Sequence, residues 1–264
     1  MATVPALQLP RMDWHVRGDW NARADRNASL VWLAILWIGM ISGFGVDLPG
    51  FLHRNPPAPF IVHLHALVFT VWMLILTSQV VLVVSHRVAL HRKLGVFAVG
   101  WAGLMAVMGP AAFISIVVQD ARLHGPFPYP FISVHVADIG GFLVLLACGF
   151  ALRKNPAAHK RMMILSTVAL ADPGFSRFTG YYLPEPTSVL PWFIYTFYGN
   201  LLIIVLMLAS DWWRGRLIRS HVIASASLLA ALYIASLMYF WPPWKALTMQ
   251  WVATWVKLFG NRIF

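Results

Sequence analysis

Six ionisable residues lie near the ends of segments that are otherwise apolar, where their side chains could carry out redox or proton chemistry. They form a histidine pair, a histidine–aspartate pair and an aspartate–arginine pair: His63 and His65, His135 and Asp138, and Asp172 and Arg177. Imidazoles and carboxylates together bind zinc, non-haem iron or copper. Two imidazoles from facing helices can instead hold the iron of a haem b.

The spacing of these residues predicts which of them can converge on one site. His135 and Asp138 are three positions apart and share a helix face. His63 and His65 are two positions apart, about 200° around a helix, so only one of them can point at a shared neighbour. Because His65 continues a face with Phe69, we predict His65 as the ligand, with His63 as its substitute.

These residues have two interpretations. In the first, His65, His135 and Asp138 bind a transition metal or, through the histidines, a haem. Asp172 is then a fourth ligand or a proton acceptor, and Arg177 keeps the carboxylates ionised or binds an anionic group of the substrate. In the second, Arg177 and the histidines neutralise Asp138 and Asp172 in a buried polar network that fixes helix register.

The composition places the chain in a lipid bilayer. The 264 residues are 59% hydrophobic and only 11% charged, with a mean hydropathy of +0.70, whereas soluble domains have about 25% charged residues. A cytosolic enzyme, a secreted disulfide scaffold and a disordered tail are therefore excluded. The net charge of +11 comes from basic residues between apolar segments, which indicates membrane topology rather than nucleic-acid binding.

The predicted fold is all-α, an integral membrane bundle of seven transmembrane helices with one anchor helix and three helical hairpins. A span needs about 20 mostly apolar residues. The fifth span is the weakest because Asp172-Pro173-Gly174 interrupts it, and Gly39 and Gly43 form a GxxxG packing motif in the first. The predicted spans are Ser29–Val46, Phe60–Val84, Leu94–Val118, Phe131–Leu152, Arg161–Phe178, Val189–Ser210 and Val222–Phe240.

Two flanking segments complete the predicted organisation. Residues 1–28 form a cytoplasmic N-terminal segment, residues 29–240 the transmembrane domain, and residues 241–264 a C-terminal segment. Trp244–Phe259 is short and amphipathic, so we expect it to lie along the membrane interface. Alternate loops carry 14 and 6 lysine and arginine residues. This bias predicts a bacterial inner-membrane protein with its N-terminus in the cytoplasm and its C-terminus in the periplasm.

The three hairpins share a histidine at the start of each returning helix. These residues are His91, His159 and His221, each within a basic loop predicted to be cytoplasmic. The repeat indicates either an ancestral duplication or hairpins of similar size. The histidines either anchor the loops to anionic headgroups or contact a haem or another cofactor at the inner side.

Three short motifs carry a resemblance to a known group of proteins. LHRKLG at Leu90–Gly95, AHKRMM at Ala158–Met163 and ADPGFSRFTG at Ala171–Gly180 resemble loops of uncharacterised bacterial polytopic membrane proteins. The resemblance extends from about Pro56 to Trp244 and implies a multi-helix fold without established catalytic residues. The paired histidines near helix ends are also loosely similar to cytochrome b561-type and haem-synthase-type bundles.

The functional expectation is a metal- or haem-dependent oxidoreductase that acts on a lipid-like or quinone-like substrate. A site near the outer ends of the helices could open sideways to lipid and admit such a molecule. The alternatives are a non-enzymatic accessory subunit of a membrane complex and a small-solute or proton-coupled transporter. The sequence contains no HExxH motif, GxSxG motif or phosphate-binding loop that would indicate other chemistry.

Overall fold

The computed structural model describes residues 13–16 and 22–260. Within that part of the chain, nine helices and two short strands follow one another along the sequence. They are β1 (Asp13–Val16), α1 (Ala22–Leu52), α2 (Phe60–Val84), α3 (Val88–His124), α4 (Ile132–Ala151), α5 (Pro156–Val168), α6 (Asp172–Tyr182), α7 (Val189–Trp213), β2 (Arg216–Ile218), α8 (Arg219–Phe240) and α9 (Pro242–Phe259).

Six helices of the described chain are long and apolar enough to cross a membrane: α1, α2, α3, α4, α7 and α8. The helical, membrane-type fold is therefore confirmed at that level. Bilayer contact is consistent with large apolar side chains that lie exposed along these helices, such as Ile38, Val96 and Val144. The predicted span Phe60–Val84 coincides with α2.

The predicted fifth span is two helices rather than one. α5 ends at Val168 and α6 begins at Asp172. Pro173 lies in the first turn of α6, where a residue without an N–H and with a fixed φ suits a helix start but not a helix interior. The interrupting Asp172-Pro173-Gly174 sequence therefore begins a new helix instead of merely weakening one.

α5 and α6 together run alongside α1. Lys160 in α5 contacts Asp25 near the start of α1, and Arg177 in α6 contacts Asp47 near its end. Between these ion pairs, Gly174 lies directly against Gly43. The two short helices thus follow α1 in the same direction over most of its length.

The two ends of the bundle differ in charge. The basic end, as we call it, contains the loops after α2, α4 and α7, with Arg87, Lys154 and Arg214, and also the start of α1. The opposite end contains the loops after α1, α3, α6 and α8. The main core between the ends is apolar and includes buried side chains from α1, α5, α6, α7 and α8.

The C-terminal helix α9 packs against the opposite end of the bundle. Trp244 donates from its indole to the Pro130 carbonyl at 2.9 Å, and Thr248 accepts from the Tyr129 backbone N–H at 3.2 Å. Val252 is fully buried against α3. α9 does not qualify as a membrane-crossing helix by length and composition.

A two-stranded antiparallel sheet at the basic end departs from the all-α prediction. β1 pairs with β2, and Val16 lies opposite Arg216. The sequence contains no hairpin signal because seven helices, α1 to α7, separate the two strands along the chain. Of the predicted N-terminal segment, residues 1–12 and 17–21 lie outside the described residues.

Candidate functional site: a buried carboxyl pair

Asp138 and Asp172 face each other inside the bundle, and we refer to them as the carboxyl pair. Their carboxyl groups lie within hydrogen-bonding reach of one another. Asp138 is 4% exposed and Asp172 is fully buried. Within the described part of the chain, neither Oδ1 of Asp138 nor either oxygen of Asp172 has a hydrogen-bond donor. Buried carboxyls without donors are costly, which is why they often mark function in membrane proteins.

The carboxyl pair lies where α5 gives way to α6. Asp172 is in the first turn of α6, and the Val168 carbonyl at the end of α5 accepts a 2.7 Å hydrogen bond from the Asn200 amide. One residue earlier, Thr167 accepts from the Trp72 indole at 3.1 Å. Side chains from α2 and α7 thus hold the end of α5, and they leave the carboxyl pair beside the break.

The pair also connects two groups of helices. α4, which carries Asp138, packs mainly on α5 and α8, whereas α6, which carries Asp172, packs mainly on α1 and α7. Phe175 holds α6 in place because its ring fills the space beside Gly39 of α1 and Gly199 of α7. The carboxyl pair is therefore a polar contact between α4 and a tightly packed α1–α6–α7 unit.

His135 lies one turn from Asp138 but has partners of its own. Its Nε2 is 3.2 Å from the Tyr129 hydroxyl, and its ring stacks on Phe113 with 4.6 Å between centroids. Burial raises the pKa of Tyr129 to about 12, and the nearby Asp120 acts in the same direction although Arg177 opposes it. The Tyr129 hydroxyl therefore keeps its proton and can donate it to a neutral His135.

His65 and His63 separate as their spacing predicts. His65 is partly buried, with its ring 4.1 Å from Phe69 and its Nδ1 buried without a partner among the described residues. It lies close enough to His135 for their charges to interact. His63 is exposed and contacts the Phe51 ring, so it does not substitute for His65.

Arg177 does not pair with the carboxyl groups as predicted. Its Nε donates to Asp47 at 3.0 Å, and its Nη1 donates to the Pro173 carbonyl at 2.7 Å. The guanidinium also lies over the Phe44 ring. Asp47 is the first acid beyond the apolar stretch of α1, and α6 runs parallel to α1. Arg177 therefore meets this exposed acid rather than the deeper carboxyl pair.

The predicted ligands are held by separate partners and do not surround a common point. Within residues 13–16 and 22–260, no group of three or more His, Cys, Asp or Glu side chains is arranged to hold a metal ion. α3 contacts both imidazoles, with Phe113 on His135 and the Met108 backbone beside His65. The metal or haem site stays a prediction.

A second polar cluster, which the sequence does not predict, lies at the basic end, and we call it the ionic network. Arg161 is fully buried. Its guanidinium binds both carboxylate oxygens of Asp211 and also Asp25, at 3.0 Å. His221 Nδ1 donates to the Asp211 carboxylate at 2.7 Å, and Lys160 binds Asp25 at 2.8 Å. The network joins α1, α5, α7 and α8.

Burial and the attraction between opposite charges determine the protonation of Lys160 and Asp25 at the edge of the ionic network. Burial lowers the pKa of Lys160 to about 8, and the charge of Arg161 adds to this effect while Asp25 opposes it. Burial alone would raise the pKa of Asp25, but Lys160 and Arg161 hold it below its ordinary value. The carboxylate therefore stays ionised, while the amine is poised near neutral pH.

The network corrects two interpretations of the sequence. Lys160 and Arg161 resemble loop charges that only report topology, yet both bind acids inside the bundle. His221 is fully buried, so it is not a headgroup anchor. His159 binds the Gly149 carbonyl at 2.7 Å. The sequence does contain one signal for the ionic network, which is the pair of charged residues, Lys160 and Arg161, at the start of the weakest predicted span.

Comparison with known proteins adds no assignment to this arrangement. No protein-family model, no curated protein and no solved structure matches the chain.

Proposed function

We propose that this chain is a bacterial inner-membrane protein with seven crossings, in which α5 and α6 together form a discontinuous fifth one. The ion pairs with Lys160 and Arg177 lie at Asp25 and Asp47 of α1, which are about 33 Å apart along a helix that rises about 1.5 Å per residue. A hydrocarbon core is about 30 Å thick. The basic end is cytoplasmic, which places the N-terminus inside and the C-terminus outside.

In function, the protein is a proton-coupled carrier for a small solute, with the carboxyl pair as its proton-binding site. The observation that carries this proposal is the buried contact between Asp138 and Asp172 without another donor among the described residues. Two carboxyl groups in contact inside a protein bind one proton between them, because both cannot be ionised at that distance. Membrane carriers also place their sites at discontinuous helices.

The carrier would work through the charge of the pair. With one proton bound, the two carboxyls attract each other and hold α4 against the α1–α6–α7 unit. When the proton leaves, two negative charges face each other in a medium of low dielectric constant and repel. The N-terminus of α6 stabilises the negative charge on Asp172 through the helix dipole. Proton binding and release thereby shift the packing between two groups of helices.

Infrared spectroscopy tests the proton site without knowledge of the solute. A pH-difference spectrum of the purified protein is expected to contain the C=O band of a buried protonated carboxyl. Asp138→Asn or Asp172→Asn should shift the frequency and the midpoint of this band, because the remaining buried carboxyl still binds a proton, and the double variant should remove it. Asp120→Asn is the matched control, because Asp120 is an acid at the same end of the bundle that pairs with Arg54. A spectrum without the band would overturn the proton site.

Proton flux tests the carrier. The proposal includes proton movement in the absence of the solute, so proteoliposomes that contain a pH-sensitive dye should acidify under an imposed membrane potential. Both carboxyl-pair variants should lose this flux while Asp120→Asn keeps it. If the infrared band is present but the parent protein gives no flux above empty vesicles, the pair is a static polar contact and the carrier proposal is wrong.

A metal- or haem-dependent oxidoreductase acting on a quinone-like or lipid-like molecule is the second candidate. It is favoured by one observation, the buried Nδ1 of His65 without a partner among the described residues, together with the nearby His135. Elemental analysis and an absorption spectrum of the purified protein test it. Stoichiometric metal or a Soret band that His65→Gln abolishes would support this candidate, and their absence from protein purified without chelator would exclude it.

A further inference from the structure

A histidine at the basic end is held in a way that leaves one ring nitrogen available as a base. His221 Nδ1 lies 2.7 Å from Oδ2 of Asp211, and Arg161 binds the same carboxylate from the other side. An ionised carboxylate can only accept, so Nδ1 carries the hydrogen and Nε2 keeps its lone pair. Nε2 is buried and has no partner among the described residues.

The charged groups around His221 come from four elements. Asp211 of α7 contacts the ring, Arg161 and Lys160 of α5 lie behind that carboxylate, and Asp25 of α1 balances them. Arg216 of β2 lies on the strand that precedes α8. A proton on Nε2 would create an imidazolium in contact with the Asp211 carboxylate, which is the arrangement that stabilises a buried positive charge.

Further polar atoms without partners lie between His221 and the carboxyl pair. Ser225 is one helical turn beyond His221 on the same face of α8, and its hydroxyl is buried without a partner among the described residues. The Oδ1 of Asn200 is likewise unpartnered, while its amide nitrogen binds the Val168 carbonyl, four residues before Asp172. Buried polar atoms of this kind are positions that internal water occupies.

An apolar layer interrupts this series. Leu228 follows Ser225 along α8, Ile203 and Ile204 precede Asp211 along α7, and all three side chains are buried in the main core. A proton cannot rest in this layer, so it passes between the two sites only when the layer opens to water.

We propose that His221 is the cytoplasmic-side proton acceptor of the carrier and exchanges protons with the carboxyl pair by way of Ser225 and Asn200. The inference depends on the proposed function of the pair. A proton adds to Nε2 while Nδ1–H stays bonded to ionised Asp211. When the apolar layer opens, the same proton leaves Nε2 through water that enters beside Ser225 and Asn200 and reaches the Asp172 carboxylate, and His221 returns to its neutral tautomer.

The experiment compares His221→Gln with His159→Gln in the dye-loaded proteoliposomes. Glutamine keeps a donor for Asp211 but cannot accept and release the proton, so we expect His221→Gln to reduce proton flux at least about tenfold, since a positioned proton-transfer group typically contributes about 10²- to 10⁴-fold. The infrared band of the carboxyl pair should persist. His159→Gln should change neither, since His159 contacts the Gly149 carbonyl and the His91 ring rather than the ionic network.

The outcomes separate this inference from the proposed function. A parent protein without the infrared band would overturn the proposed function of the carboxyl pair, whatever the His221→Gln variant does. A parent with band and flux, and a His221→Gln variant with unchanged flux, would overturn the role of His221 alone. If His221→Gln does not fold, Ser225→Ala is the second variant, and unchanged flux there would overturn the route.

Discussion

Arg161 is the residue that neutralises most of the buried negative charge in the ionic network. Its guanidinium neutralises Asp211 and Asp25 at once, and in a bilayer neither acid has water as a substitute. The bidentate contact with Asp211 uses the planar fork that distinguishes arginine from lysine. The consecutive Lys160 and Arg161 therefore have different tasks, the first at the edge of the network and the second at its centre.

Arg161→Met should destabilise the protein by about 3–5 kcal/mol, because it removes the guanidinium from buried Asp211 and leaves Asp25 with Lys160 alone. Arg153→Met is the control, since Arg153 is exposed and its Nη1 donates to the Phe150 carbonyl. Thermal unfolding in detergent measures both. Adding Asp211→Asn to Arg161→Met should recover part of the loss. Equal stability of the Arg161→Met and Arg153→Met variants would contradict the role of the network.

Lys160 should titrate near pH 8, well below an ordinary lysine at about 10.4. Burial disfavours its charged form, so the folded state binds fewer protons than the unfolded state between these two values. The contribution of this group to stability therefore rises with pH across that window. Nuclear magnetic resonance of ¹³Cε-labelled lysine measures the titration, with the signal identified by its loss in Lys160→Arg. A midpoint at the ordinary value would contradict the burial.

Sequence reasoning at this scale found the carboxyl pair but not its partners. Asp138 and Asp172 stand out because lipid does not tolerate isolated acids. The sequence predicts that Arg177 keeps these carboxylates ionised or binds an anionic group of the substrate, whereas its direct ion pair in the structure is with Asp47 from a distant segment. Which acid an arginine meets depends on helix packing, and the pattern along one chain segment does not contain it.

At the scale of helices, the backbones of α1 and α6 are in direct contact. A Cβ on Gly43 would lie 1.6 Å from the Gly174 carbonyl oxygen, and a Cβ on Gly39 would overlap the Phe175 ring. The GxxxG motif predicted from the sequence is thus a contact surface for α6. Small residues allow this backbone contact, and in lipid such contacts supply much of the packing energy.

Gly43→Ala should lower stability by about 1–3 kcal/mol, the usual cost of inserting a methyl group where no space exists. Gly45→Ala is the matched control on the same helix, because a Cβ there meets nothing within 4 Å. The melting temperatures of the two variants in the same detergent decide the point. A Gly43→Ala protein as stable as the Gly45→Ala protein would show that α1 and α6 are not in contact at this position.

Most helices were predictable because each has a continuous apolar stretch of sufficient length. The predicted spans fall within or close to α1, α2, α3, α4, α7 and α8. The exception is the fifth, where charges at both ends and Asp172-Pro173-Gly174 in the middle point to an interruption. The sequence indicates the break but not what compensates it, because the Asn200 and Trp72 contacts come from other helices.

At the scale of the whole molecule, the direction of α5 and α6 decides the topology. If these helices complete a crossing, the loop after α4 and the loop after α6 lie on opposite sides of the membrane. If they do not, both loops lie on the same side and the C-terminus changes sides. The charge bias between loops favours the first arrangement.

Cysteine labelling distinguishes the two arrangements. In a Cys148→Ala background, a membrane-impermeant maleimide applied to intact spheroplasts should label Thr187→Cys but not Lys154→Cys, since residues 187 and 154 are exposed in the two loops. Lysed cells should label both. Labelling of both variants, or of neither, in intact spheroplasts would show that α5 and α6 do not cross the membrane.

The break between α5 and α6 also constrains the order in which the protein is made. α5 has 13 residues and α6 has 11, and neither reaches the length at which a nascent segment partitions into lipid by itself. Their charged groups add to the cost of insertion. Since α1 is synthesised first and supplies Asp25, Asp47 and the glycine surface, the later helices enter a groove that already exists. During biogenesis, the face of α1 that binds α5 and α6 therefore stays uncovered until the ribosome has synthesised the middle of the chain.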